Sequence, residues 1–154
     1  MPFEAKLKEL GITLPPAPRP IAAYIPAVRS GNLLYLSGVI PIVDGKMTYI
    51  GKLGKEVPVE DGYEAARIAL LNALAIIKGE VGSLDQIERI IKLTGYVASS
   101  PGFTQQPAVI NGASDLLLKI FGEKGLHSRV SVGAAELPLG APVELDLLVE
   151  LKHL

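Results

Sequence analysis

The run VELDLLVEL at residues 143–151 is the tightest constraint in this chain. Val143, Leu145, Leu147, Val149 and Leu151 fall on one side of an extended strand, and Glu144, Asp146 and Glu150 fall on the other. Helical geometry would scatter the same residues around an axis. The alternation therefore predicts a strand with one face in a core and one face able to carry charge. The rest of the chain has to supply a layer that covers the apolar face.

That layer is legible upstream. Tyr63, Ala66, Leu70, Leu74 and Ile77 recur every three or four residues, with Pro58 near the start and Gly79 and Gly82 near the end, which predicts a long amphipathic helix. A second helix is predicted with Pro107 in its first turn, Val109, Ala113, Leu116, Leu117 and Ile120 on one face, and Gly122 as its stop. Between them, Ser83-Leu84-Asp85 starts a turn and ERIIKLTGYVAS, rich in β-branched residues, reads as a strand. RVSVGAAEL reads as another, separated from the final strand by Pro138-Leu139-Gly140-Ala141-Pro142.

Towards the N-terminus, AAYIPAV and NLLYLSG are joined by Arg29-Ser30-Gly31-Asn32 and read as a β-hairpin. The segment from Pro41 to Gly54, with Asp44-Gly45, is a loop or a short accessory hairpin. Phe3, Leu7 and Leu10 space a short helix that Gly11 stops, and PPAPRP then forces extended backbone. The order ββαβαββ predicts one α+β domain over residues 1–154, a mixed β-sheet with two helices packed on one face. Residues 1–20 form a helical extension and a Pro-rich lead-in.

Composition removes several classes of function. With a formal charge of -1 the chain has no general field for phosphate backbones or anionic lipid, so nucleic acid is not the expected partner. The absence of cysteine excludes disulfides, thiolate metal sites and a cysteine nucleophile, and His127 and His153 alone cannot form a histidine-rich cage, so no metal is expected. Charges interrupt the apolar residues of MPFEAKLKELGITLPP every few positions, which fits neither a signal peptide nor a membrane span; a cytoplasmic location is expected. An apolar content of 49% without a membrane segment points to surface buried in an oligomer. GxGxxG, Walker A, HExxH and GxSxG motifs are all missing, so any chemistry must come from dispersed residues.

The informative segment is SRVSVGAAELPLGAPVELDLLVEL. Arg129 opens an otherwise apolar strand, and the small residues Ser131 and Gly133 beside it leave space for a carboxylate gripped by the guanidinium fork. Equally, Arg129 could form a structural ion pair with a neighbouring carboxylate such as Glu144. The local sequence leaves both open. His127, in a loop of Gly and polar residues, reads as a solvated histidine, and Ser114 as a helix-surface residue.

Taken together, AAYIPAV-x-x-GN, YLSGVIP, EAARIALLNALAII, GFTQQPAVING and SRVSVGAAELPLGAPVE resemble, from about Ile21 to the end, the Rid (YjgF-type, endoribonuclease L-PSP-like) family of reactive-intermediate deaminases. The arginine followed by a Leu-Pro turn and a glutamate is the most specific part. The resemblance implies a chorismate-mutase-like fold assembled as a homotrimer, with sites in clefts between subunits. It further implies hydrolysis of imines and enamines of 2-amino acids to 2-keto acids and ammonia without a cofactor. On the matching positions Arg129 is the carboxylate-binding arginine, Glu144 orients the attacking water, and Tyr24 lines the site. Gly38 presents a backbone carbonyl, Asn111 stands on the second helix, and Ser131 takes the place where many members have cysteine. The N-terminal extension and the long 41–58 loop are departures that mark a divergent subgroup, placed where they could narrow the cleft. A non-catalytic binder of small carboxylates is the alternative from another class. Endoribonuclease activity, an older family label, is disfavoured by the charge balance and the scarcity of aromatic residues.

Overall fold

The computed structural model describes residues 1–19 and 22–153. Pro20 and Ile21, where the predicted lead-in ends and the resemblance begins, lie outside them, as does Leu154. Strands β1 (Ala27–Ser30), β2 (Leu33–Leu36), β5 (Ile87–Ala98), β6 (Ser128–Ala134) and β7 (Val143–Leu151) form one mixed sheet in the order β1-β2-β7-β5-β6. A separate two-stranded ribbon consists of β3 (Ile42–Val43) and β4 (Lys46–Met47). The strand with the strict alternation, β7, occupies the centre, antiparallel to both β2 and β5; β6 lies parallel to β5 at the edge.

Turn chemistry sets both hairpins. Gly31 has φ 59° in the two-residue loop between β1 and β2, a conformation closed to most side chains. Asp44 (φ 51°) and Gly45 (φ 76°) are both left-handed between β3 and β4, so the accessory segment is a hairpin rather than an open loop. The first strand begins later than AAYIPAV suggests. Pro26 has no N–H to give to a ladder, and the chain pairs only from Ala27, leaving Tyr24 ahead of the strand. RVSVGAAEL likewise stops pairing at Ala134.

Helices α2 (Val59–Val81) and α3 (Gln106–Phe121) cover one face of the sheet, burying Val143, Leu145, Leu147, Val149 and Leu151 beneath them. A stripe of Ala65, Ala66, Ala69 and Ala73 on α2 is fully buried, which leaves the helices little side-chain bulk to keep them apart. At the closest approach a Cβ on Gly112 of α3 would overlap the Tyr63 carbonyl of α2, and a Cβ on Gly62 would press on Leu53 and Val109. The third helix, α1 (Phe3–Glu9), packs at the far end, where Phe3 meets Phe121 edge to face at 4.6 Å. The Glu4 carboxylate accepts from Lys78 Nζ (2.9 Å) and from the Leu84 N–H (2.9 Å), clamping the extension to the end of α2 and the turn after it.

Asn72 is the buried polar side chain of α2. Its Nδ2 uses both protons, donating to the carbonyls of Ile40 (3.1 Å) and Ile42 (2.9 Å), and so ties the helix to the segment between β2 and the accessory hairpin.

Gly112→Ala is expected to lower stability by about 1–3 kcal/mol, because the obstacle is helix backbone that cannot rotate away. Gly79→Ala, where the nearest atom is the Ala17 Cβ at 3.9 Å, is expected to raise stability by about 0.5–1 kcal/mol through the entropy of the unfolded chain. Urea denaturation of the two variants beside the parent checks both signs.

Candidate functional site

Strand pairing decides which residues meet. Residues paired across the sheet share a face, and β5 links the two segments of interest: Leu93 pairs Arg129 and Gly95 pairs Ser131, whereas Tyr96 pairs Glu144. A Cβ on Gly95 would run into Ile110 of α3, so Arg129, Ser131 and Gly133 belong to the helix-covered face. Glu144 and Tyr96 belong to the opposite one.

On the helix side, Arg129 Nη1 donates to Asn111 Oδ1 (2.8 Å) and to Ser114 Oγ (3.1 Å). That accounts for both Nη1 hydrogens. Among the described residues no partner takes Nε–H or Nη2, so the side-on fork that suits a carboxylate is left unpaired. The ion-pair alternative is therefore overturned: the groups that hold Arg129 are neutral, and Glu144 sits on the other side of the sheet. Ser131 contributes a buried Oγ with no hydrogen-bond partner among the described residues.

Two sequence expectations change here. Ser114 is not a mere surface residue, because its Oγ also meets His127 Nε2 at 2.9 Å. His127 is not simply solvated, because its Nδ1 lies 2.6 Å from the Gly125 carbonyl oxygen. The signal was present in the spacing. Asn111 and Ser114, three apart on a helix, share a face, as do His127 and Arg129, two apart entering a strand.

The other group lines a cavity of about 320 Å³ that contains Tyr24, Ser37, Gly38 and Glu144. Its remaining wall is mostly apolar and includes Pro18 and Arg19 of the lead-in, Ile42 of the accessory hairpin and Ile76 of α2. Tyr24 is half exposed. The Glu144 carboxylate occupies the space that a Cβ on Gly38 would fill, so a side chain there would displace it. Ser37 Oγ donates to the Ile25 carbonyl (2.7 Å) and the Ser37 N–H to that of Pro26 (2.9 Å), locking the two cavity walls together.

Burial first, and then the charge of Asp146, push the Glu144 carboxyl above the ordinary glutamate range. Burial likewise raises Asp146, against the opposing hydrogen bonds from Tyr96 and Thr94; the Tyr96 hydroxyl donates to Asp146 Oδ2 at 3.3 Å. Val28, Tyr35, Val130 and Val132 flank these carboxyls on the same uncovered face, each well exposed. Among the described residues no cluster of three His, Asp or Glu is close enough to hold a metal ion, and no helix is long and apolar enough to cross a membrane.

The sequence-predicted residues thus fall into two groups within one chain. Arg129, Asn111 and Ser131 are gathered on the helix side of the edge strand. Tyr24, Gly38 and Glu144 are gathered at the cavity. The chain does not bring the two together.

Residues 4–151 match the family model described as "YjgF/chorismate mutase-like, putative endoribonuclease". Protein TCP17 of Trypanosoma cruzi is 45% identical over 150 residues, covering 97% of this chain and 94% of that protein. A 2-iminobutanoate/2-iminopropanoate deaminase of Dermatophagoides farinae is 30% identical over 139 residues, covering 90% and 93%. A crystal structure of an Agrobacterium tumefaciens protein of unknown function superposes with a TM-score of 0.88 at 46% identity, covering 97% of this chain and 92% of that one. With matches that run nearly end to end in sequence and in fold, the chain belongs to the YjgF/chorismate mutase-like family and has its mixed-sheet α+β fold.

Proposed function

We propose that this protein hydrolyses reactive imines and enamines of small 2-amino acids to 2-keto acids and ammonia, in a homotrimer whose sites lie between subunits. The observation that carries the reading is the state of Arg129: a guanidinium held by two neutral oxygens, with its Nε/Nη2 fork unpaired among the described residues. A positive charge kept without a protein carboxylate suits a ligand that brings its own. Relationship to a 2-iminobutanoate/2-iminopropanoate deaminase supports the substrate class. Such intermediates are released by pyridoxal-phosphate enzymes, which fits a cytoplasmic setting.

The split site supports assembly of more than one copy, which the homotrimer would supply. Arg129 and Glu144 occupy opposite faces of one sheet, so a ligand touching both needs Arg129 of one copy and Glu144 of another. The exposed Val28, Tyr35, Val130 and Val132 give the uncovered face an apolar surface for that contact.

In the reaction, Arg129 holds the carboxylate and fixes the imine carbon, which is already electrophilic when the nitrogen is protonated. Glu144, with Tyr24 and the Gly38 carbonyl, orients a water towards that carbon. As the water oxygen bonds to carbon, its proton passes to Glu144 and then to the nitrogen. The C–N bond breaks, ammonia leaves, and the hydroxyl loses its proton as the keto group forms. A glutamate whose proton affinity is raised by burial is better matched to this exchange than an ordinary one. The lead-in and the accessory hairpin wall the cavity beside Glu144 and limit what enters it.

Arg129→Ala is expected to abolish acceleration of imine hydrolysis in a coupled amino-acid oxidase assay while light scattering still reports a trimer; unchanged acceleration would overturn the reading. Because Glu144 works as a base, kcat/KM is expected to fall as pH drops through its raised pKa, at a pH above the ordinary glutamate value. Glu144→Gln is expected to lower the rate and flatten that acid limb. A binding-only protein, favoured by a grip that one chain completes alone, would instead be protected from heat by 2-ketobutyrate and show no turnover.

A further inference from the structure

We infer that His127 and Ser114 are positioning residues that aim Arg129 through a one-way chain of hydrogen bonds, an inference resting on Arg129 as the carboxylate grip. The bond directions follow from the groups at the two ends together with a neutral imidazole at His127. A carbonyl oxygen only accepts, so the 2.6 Å contact with Gly125 requires the proton on His127 Nδ1. The neutral ring then offers a lone pair at Nε2, and the Ser114 hydroxyl, 2.9 Å away, donates to it. With its hydrogen committed there, Ser114 Oγ turns a lone pair to Arg129 and accepts from Nη1 at 3.1 Å. Asn111 Oδ1 takes the other Nη1 hydrogen at 2.8 Å.

The outer bonds cannot reverse, since a guanidinium cannot accept and a carbonyl cannot donate, and with a neutral ring the Ser114–His127 bond between them runs one way too. One orientation of ring, hydroxyl and guanidinium plane is therefore selected before any ligand arrives. The far end is rigid as well. Gly125 is buried, and a Cβ on it would overlap the Leu117 carbonyl, so the backbone that anchors His127 is pressed against α3. The chain of bonds leaves α3 through that contact, crosses the loop to β6, and returns to α3 at Ser114 and Asn111. Apart from the guanidinium it contains no charge in this tautomer, so it orients Arg129 without neutralising it.

Removing the acceptor at residue 127 releases the Ser114 hydroxyl, which can turn to a carbonyl of the preceding helical turn. Arg129 keeps Asn111, but its second acceptor is no longer held in one orientation, and the constraint on the guanidinium plane is loosened. A ligand must then order the fork itself, and binding weakens. Glu144, on the opposite face of the sheet, is untouched, so the chemical step in the bound complex is spared.

The test compares His127→Leu, His127→Gln, Ser114→Ala and the double variant S114A/H127L with the parent, with Arg129→Ala as control. Readouts are KM and kcat for imine hydrolysis and the Kd of 2-ketobutyrate by calorimetry. His127→Leu and Ser114→Ala are each expected to raise KM and Kd about 3- to 10-fold with kcat within about twofold, the loss of one ordering hydrogen bond. The double variant should be no worse than either single, because both break the same chain. His127→Gln, whose Oε1 can reach the place of Nε2, should restore the parent Kd. Ser114→Ala, a helix-compatible truncation, keeps the test informative if His127→Leu misfolds. Parent-like binding in His127→Leu, or additive losses in the double variant, would overturn the inference while an inactive Arg129→Ala left the proposed function standing. An Arg129→Ala variant that binds and turns over normally would overturn both.

Discussion

Everything in this molecule hangs on the pairing of β5 with its two neighbours. Antiparallel hydrogen bonds to β7 put Val143, Leu145 and Leu147 against the helices, and parallel bonds to β6 put Arg129 and Ser131 on that same side. Because the side-chain period of a strand is two, no adjustment short of a register slip could bring Glu144 round to Arg129, and such a slip would turn the whole apolar row of β7 into solvent. The core and the split site are consequences of one pattern.

The helix layer shows how little freedom this arrangement leaves. With Ala65, Ala66, Ala69 and Ala73 facing inward and Gly112 against the Tyr63 backbone, α2 and α3 sit close together over the sheet. That closeness brings Asn111 and Ser114 over the edge strand, where Arg129 can reach them. Further along α2, Asn72 holds the Ile40–Ile42 backbone through two hydrogen bonds and thereby fixes the wall that carries Gly38. Packing that looks purely structural determines where both groups of polar residues stand.

The layer order, both principal helices, the first hairpin and the central strand were legible in the sequence because each rests on periodicity or on turn chemistry, which are local; the sequence of the accessory segment fits a loop as well as a hairpin. The fate of Arg129 was not. Whether a guanidinium meets a carboxylate or a pair of neutral oxygens depends on which face a strand presents to which helix, a relation between residues 18 and 15 positions apart. His127 was misread for the same reason. A loop rich in Gly and polar residues suggests solvent, yet Gly125 is forced against Leu117 and carries the histidine inward with it. Tyr24 was assigned to a strand from its neighbours' composition, and the lack of an N–H at Pro26 settled the boundary instead.

The two groups of residues also differ in how they are made, and that difference bears on how such a site can diverge. The helix-side group is built wholly from secondary structure: one strand, one helix and a tight turn, closed by hydrogen bonds. The cavity beside Glu144 is built in large part from appended segments, Pro18 and Arg19 of the lead-in and Ile42 of the accessory hairpin. Changes in those segments alter the shape and polarity of the cavity; the segments meet the fold at α2 through Asn72 and the Glu4 clamp, at α3 through Phe3 against Phe121, and at the end of β5 through the Leu53 N–H on the Ala98 carbonyl. In the proposed function, the residues that grip a carboxylate and the segments that wall the cavity thus belong to different parts of the fold.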